Sequence, residues 1–176
     1  SVNNVDIVEL LYQPFWNSLV LIGFAIMVTA VLGILLGFLS VSRHTMRIRP
    51  VGLLLTTAGS SIPGFLLGGV VIALIVYQTL YGGLKQTPLP MSGYGINEHL
   101  ILPLLVLAVR PTLHLAKVTA GLLENEMQKD YIRTARSKGA KWRRIYWSHA
   151  FSNIIAPIIV VLGQSMRFIV GGLLIV

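Results

Sequence analysis

Two arginines are the side chains in this sequence with the clearest capacity for chemistry, because Arg110 and Arg167 interrupt long apolar runs. An arginine deep in a bilayer costs at least about 2.5 kcal/mol, so such residues usually face the interior of a helix bundle or water. Both fall near the middle of their runs, which predicts that they line a solute pathway and attract a carboxylate or phosphate group. A structural pair with an acidic residue, or snorkelling to the membrane surface, stays open at this point.

Signatures of catalysis and of nucleotide or metal binding are missing from the sequence. There is no cysteine, and the four histidines lie in separate segments, so we expect no metal site. No GxxxxGK[ST] loop, GxSxG elbow or HExxH helix is present, so the chain is not expected to be an enzyme or to bind ATP. A lone histidine in a span, His114, is expected to be a packing residue.

The elements that must carry these arginines are membrane-spanning helices. Only 11% of the 176 residues are charged and 55% are hydrophobic, whereas soluble domains carry about 25% charged residues. Four apolar runs, near 15–39, 51–77, 100–123 and 151–176, exceed the ~20 residues that cross a bilayer. The sequence predicts an all-α transmembrane bundle with four visible spans. We expect a single domain, 1–176, that is incomplete at both ends.

The distribution of lysine and arginine predicts the orientation of the bundle. Loops 40–50 and 124–151 are basic, whereas loop 78–99 holds only Lys85 and the N-terminal stretch holds no basic residue. By the positive-inside rule the two basic loops face the cytoplasm, and the other two segments lie outside. The net charge of +8 therefore reflects topology and contact with membrane lipid, and no nucleic-acid partner is expected.

Glycine and proline mark positions where helices meet or bend. Gly33 and Gly37 form a GxxxG spacing, which predicts close packing within the bundle or, as an alternative, a dimer seam. Pro63 interrupts the second run and predicts a kinked span. The kink is either structural or a bend that shapes a solute pathway.

The basic loop 124–151 predicts two short helices outside the bilayer, joined by a glycine turn. Leu123, Met127, Tyr131 and Ala135 recur every four residues and so share one helical face, and Gly139 is a natural stop. Glu124 and Glu126 are expected to serve helix ends and salt bridges within the loop. Pattern alone leaves a plain positive-inside loop, a hairpin on anionic lipid and a partner-docking element open.

Residues 130–139, Asp-Tyr-Ile-Arg-Thr-Ala-Arg-Ser-Lys-Gly, followed by Pro157 eighteen residues after Gly139, resemble the cytoplasmic EAA loop of ABC-transporter permeases. The glycine-to-proline spacing is similar to that of the dipeptide, oligopeptide and nickel branch. Arg133-Thr134-Ala135 stands where the general family has Glu-Ala-Ala, a departure typical of this branch. Ser61-Ile62-Pro63 and the run 100–103 are also similar to segments of its first, B-type permease subunit.

This resemblance implies a permease subunit of an ATP-driven, binding-protein-dependent importer of peptides. Expected partners are a second permease, two cytoplasmic ATPase subunits that bind ATP and magnesium, and an extracytoplasmic binding protein. The residues implied to touch the ATPase are Asp130, Tyr131, Ala135, Ser137, Lys138 and Gly139. A nickel-chelate or other small-solute importer of the same branch, or a membrane scaffold with a lipid-binding loop, is the alternative.

Overall fold

The computed structural model describes residues 7–42, 45–81 and 100–173, and in these ranges every extended regular element is a helix. The elements are α1 (Ile7–Ser40), α2 (Pro50–Ser61), α3 (Gly64–Tyr81), α4 (Ile101–Met127), α5 (Asp130–Ser137), α6 (Trp142–Arg144), a π-helical segment (Ile145–Phe151) and α7 (Ser152–Leu173). The predicted all-α bundle is confirmed. Most of the predicted outer loop 78–99 and of the N-terminal stretch lies outside the described residues, as does Arg43.

Three continuous stretches are long and apolar enough to cross a membrane. They are Leu11–Ser40, Ile101–Met127 and Trp142–Gly172. The second apolar run differs from its prediction, because it forms two helices, α2 and α3, whose axes are bent by 95° instead of one kinked helix. This pair supplies a fourth span only if the two helices cross the membrane together.

The break between α2 and α3 follows from Pro63. Proline has no N–H to donate and disfavours the helical conformation in the residue before it, and Ile62 accordingly has an extended ψ of 126°. The hydroxyl groups of Ser60 and Ser61 both donate to the carbonyl of Thr57, at 3.0 and 2.8 Å, and so help to satisfy the end of α2. The Thr57 carbonyl therefore keeps hydrogen-bond donors although the backbone changes direction sharply a few residues later.

Helix α4 lies at the centre of the bundle and packs against α1, α2, α3 and α7. The GxxxG glycines of α1 face it: a Cβ added at Gly33 would lie 2.8 Å from the side chain of Leu115, and one at Gly37 would lie 2.6 Å from Thr119. Both distances are shorter than any ordinary contact. The predicted packing role within one bundle is confirmed.

A hydrophobic core closes the end of the bundle that carries the basic loop. Its buried members come from the helices and from the loop itself: Val41, Leu115, Ala120, Leu123, Met127, Ile132, Ile145, Ala150, Ile154 and Ile158. Packed against this core, the Phe38 ring lies 5.7 Å from that of Trp147 and 5.7 Å from that of Phe151. The loop is therefore packed onto the bundle and is part of its core.

Candidate functional sites

The basic loop begins with a break in the helix that the sequence did not predict. Helix α4 ends at Met127 and α5 starts at Asp130, so the continuous face through Leu123, Met127, Tyr131 and Ala135 is wrong. The two intervening residues turn the chain, and Ile132 takes the place in the core that the pattern gave to Tyr131. Ile132 is fully buried, whereas Tyr131 is 38% exposed.

A polar network holds α5 against the ends of α4 and α7. The buried carboxylate of Glu126 accepts hydrogen bonds from the Tyr131 hydroxyl and, at 3.1 Å, from the Asn153 amide. Its second oxygen lies 2.6 Å from the ammonium group of Lys129, which confirms the predicted salt-bridge role. Asn153 also donates to the Tyr131 oxygen at 2.9 Å. Three elements therefore share one carboxylate.

The Tyr131 hydroxyl stays protonated in this network. Its burial, and next its hydrogen bond to the Glu126 carboxylate, raise the pKa of Tyr131 above the ordinary value of 10.0. A protonated hydroxyl can donate to a carboxylate, which can only accept. The polar end of Tyr131 is thus used within the chain, and a contact between Tyr131 and an ATPase stays a prediction.

Helix α5 ends in the predicted glycine turn. Gly139 has a φ of +75°, a conformation that costs little only for glycine. Its N–H donates to the Arg136 carbonyl at 2.9 Å, and the N–H of Ala140 donates to the Ala135 carbonyl at 3.1 Å, which caps the helix. This part of the prediction is confirmed.

The second predicted short helix is not a separate element. The chain is helical from Trp142 through the π-helical segment into α7 without a break at Phe151, so this helix is the start of the last span. The hydroxyl of Ser152 donates to the Trp147 carbonyl five residues earlier, at 3.3 Å, which suits the wider π turn. The boundary predicted from hydropathy at Phe151 therefore does not correspond to a helix end.

The two basic loops lie together at one end of the bundle. The backbone N–H of Ile48 donates to the Glu124 carboxylate at 3.3 Å, and the Arg136 guanidinium donates to the sulfur of Met46 at 3.7 Å. The same guanidinium lies 5.0 Å from the ring centre of Trp142. This contact agrees with placing loops 40–50 and 124–151 on the same side of the membrane.

The residues implied to touch an ATPase are mostly accessible on this end. Asp130, Ser137, Lys138 and Gly139 are exposed and Ala135 is partly buried. Asp130 and Arg133 form an exposed ion pair at 3.6 Å, which contributes little stability. The polar face of α5 therefore points away from the bundle while Ile132 fixes its other face.

The predicted pathway residues lie together in a cavity of about 260 Å³ at the other end of the bundle. Pro63 and Gly64 form one wall at the break between α2 and α3, Arg110 and its neighbours form a second on α4, and Arg167 belongs to a third on α7. The remaining lining residues are Val106, Leu107, Pro111, Phe168, Gly171 and Gly172. Residues more than a hundred positions apart in sequence are thus neighbours.

The two arginines have different surroundings in this cavity. The Arg110 guanidinium lies 4.7 Å from the centre of the Phe168 ring, a cation–π distance. The ring of His114 packs edge-on against the same phenylalanine at 5.7 Å, in line with its predicted packing role. Arg167 is exposed, and among the described side chains neither arginine has an acidic partner.

Helix geometry places both arginines at similar depth. At 1.5 Å per residue, Arg110 lies about 26 Å from the end of α4 at Met127, and Arg167 lies about 23 Å from the start of α7 at Ser152. Both arginines therefore lie far along their helices from the basic loop, and their mid-span depth stays a prediction.

Some site residues were missed by sequence reasoning. Phe168 was not singled out, because an aromatic residue in an apolar run carries no signal of its own. Asn153 was not singled out either, because its hydrogen bond to Glu126 depends on how α4 and α7 meet. Within the described ranges, no three histidine, aspartate or glutamate side chains are grouped so that they could hold a metal ion.

Comparison with known proteins identifies the class. Residues 29–176 match the family model "Binding-protein-dependent transport system inner membrane component". The chain belongs to this family and is a multi-pass membrane protein.

Two curated relatives are named as permease proteins of peptide transport systems. The chain is 29% identical to the oligopeptide transport system permease protein AppB of Bacillus subtilis, over 96% of this chain and 54% of the relative. It is 31% identical to the dipeptide transport system permease protein DppB of the same species, over 84% of this chain and 46% of the relative. The chain thus spans about half the length of these relatives. No solved structure matches it.

Proposed function

We propose that this chain forms part of the translocation pathway of an ATP-driven importer of di- and oligopeptides. In this proposal it is a B-type permease subunit, itself non-catalytic, that pairs with a second permease. Two cytoplasmic ATPase subunits bind its loop 124–151, and an extracytoplasmic binding protein delivers the solute. Support comes from the family match and from the names of the peptide-transport relatives.

The observation that carries the coupling part of the proposal is the rigid attachment of α5. Ile132 is fully buried in the core, and Glu126 joins α5 to α4 and α7 through Tyr131 and Asn153. A helix can pass a displacement to the membrane helices only if it is firmly attached to them. An ATPase that displaces α5 would therefore displace the ends of two membrane helices, as alternating access requires.

Contact with the ATPase would use the exposed side of the same helix. Asp130, Ser137, Lys138 and Gly139 are accessible there, Tyr131 is 38% exposed and Ala135 is partly buried. A plain positive-inside loop needs charge alone and would not need a buried anchor.

Cysteine cross-linking tests the coupling, and the chain is suited to it because it has no native cysteine. Ser137→Cys in the assembled complex should cross-link to an ATPase subunit, with a yield that changes when ATP is added. Ser61→Cys is the matched control, since Ser61 is an exposed serine at the end of α2, outside loop 124–151. Absence of any cross-link from position 137 in every nucleotide state would refute the coupling role.

The solute class is tested separately with the complex in proteoliposomes. Uptake of labelled di- and tripeptides should require ATP on the side of the membrane where the ATPase subunits lie. It should also require the binding protein. A nickel chelate is the comparison solute. If the complex takes up the chelate and not the peptides, the metal-importing alternative is favoured. If ATP drives no uptake of either solute and the chain binds strongly to anionic vesicles, a membrane scaffold is favoured.

A further inference from the structure

The geometry of the α2–α4–α7 cavity points to a binding site for the carboxylate group of the incoming solute, on the delivery side of the membrane. This inference rests on the proposed import of peptides, and it assigns a specific chemistry to the three-walled cavity. Pro63, Arg110 and Arg167 all line it.

The charged groups of the cavity are all positive among its described lining residues. The described part of the cavity wall carries two guanidinium groups and no carboxylate, and the only described ion pairs lie at the opposite end of the bundle. Arg110 is half-buried beside apolar lining residues and Arg167 is exposed at the same cavity, and no described carboxylate neutralises either charge, so the cavity favours an anionic occupant. A planar carboxylate fits because guanidinium groups bind it through two parallel hydrogen bonds.

The unequal surroundings of the two arginines give each a separate part. The Arg110 guanidinium lies 4.7 Å over the Phe168 ring, which in turn contacts His114, so an aromatic contact orients it in the absence of a ligand. Arg167 is exposed, and among the described residues no hydrogen bond, ion pair or ring contact holds its guanidinium. Arg110 therefore presents an oriented guanidinium to the anion, and Arg167 has no described contact that it would have to break to bind the same anion.

Depth and backbone shape place this site near the entrance. Both arginines lie more than about 20 Å from the basic loop along their helices, so a solute released from outside meets them early. The lining glycines differ: an added Cβ at Gly64 or Gly171 would meet no atom closer than 3.9 Å, whereas one at Gly172 would lie 2.6 Å from the Leu107 side chain. Pro63 holds the break that forms the wall beside Gly64.

The test compares a peptide with a free carboxylate and the same peptide with an amide in its place. We expect the assembled wild-type complex to transport trialanine in preference to trialanine amide, and Arg167→Gln or Arg110→Gln to lower that preference about ten-fold or more. The binding protein is the same in each assay, so its own selectivity cancels when wild type and variant are compared. Lys117→Gln, which removes a charge from α4 outside the cavity wall, should leave the preference unchanged.

A binding assay on the detergent-solubilised complex, without the binding protein, separates this inference from the proposed function. If wild type imports no peptide at all, the proposed function fails, and binding of fluorescent trialanine in competition with acetate still decides the inference. Equal binding of acid and amide, or no effect of Arg167→Gln, would overturn the carboxylate site. Competition by inorganic phosphate as strong as that by acetate would also overturn it, in favour of a site for any small anion.

Discussion

Replacing Gly37 by alanine should separate α1 from α4. The new Cβ would lie 2.6 Å from the Cβ of Thr119 and 2.9 Å from the backbone oxygen of Ala116. The second neighbour is main chain and cannot move aside by rotating a side chain. The two helices would have to move apart by most of an ångström to restore an ordinary contact, and the packing on either side would open with them.

The expected cost is that of overpacking, about 1–3 kcal/mol. Alanine also gains about 0.8–1 kcal/mol over glycine in a helix, and a control in the same helix removes this term. Gly23→Ala provides it, because an added Cβ there meets nothing within 4 Å. The difference between the two variants in unfolding free energy, measured by circular dichroism during denaturation with sodium dodecyl sulfate in mixed micelles, then isolates the steric contribution.

Equal stability of the Gly37→Ala and Gly23→Ala proteins would refute the close α1–α4 seam. The alternative, in which Gly33 and Gly37 form a dimer interface, would then be favoured. In that case the Gly37 variant should change the association of purified permease subunits, which cross-linking in micelles would detect, without changing the unfolding of one chain.

Further predictions concern the basic loop. Ile132→Ala should destabilise the chain by about 2–5 kcal/mol and uncouple ATP hydrolysis from uptake, because removing a fully buried side chain leaves a cavity. The control Arg133→Ala, at an exposed position, should change the unfolding free energy by less than about 0.5 kcal/mol. Equal effects of the two substitutions would contradict the role of Ile132 as the buried anchor of α5. Gly139→Ala should cost about 1 kcal/mol through strain at φ +75°, read from the same titration, and a neutral result would contradict the left-handed turn. Tyr131→Phe should lose about 1–2 kcal/mol in the presence of Glu126 and much less in a Glu126→Ala background, because the carboxylate accepts its hydroxyl hydrogen. The Tyr131 pKa is raised, so while Glu126 is ionised this contribution should be complete up to pH 10.0 and lost only as the pH rises beyond the folded-state pKa; a loss near neutral pH would contradict the network.

Much of the fold follows from local sequence, because a bilayer forces apolar segments to satisfy their own backbone hydrogen bonds. The apolar runs become helices for that reason. Gly33 and Gly37 were assigned to a packed face from their spacing alone, and Gly139 was assigned to a turn because only glycine takes a positive φ cheaply. Each of these properties depends on a few neighbouring residues.

Element boundaries in the basic loop were less predictable. A four-residue period cannot show that the helix stops at Met127 and starts again at Asp130, since the break changes which face meets the core. It is Ile132, and not the polar-tipped Tyr131, that the core accepts. The loop also continues into the last span, because hydropathy marks where lipid begins and does not mark where a helix begins.

The sequence by itself determined that this is a membrane helix bundle, which loops are basic and which side chains carry charge into apolar segments. Only the tertiary structure decided that Pro63, Arg110 and Arg167 share one cavity and that Glu126 joins three elements. The physical reason is that hydropathy and turn formation are local properties. A cavity or a shared hydrogen-bond acceptor depends on the rotation and depth of helices that are distant in sequence, and packing alone fixes these.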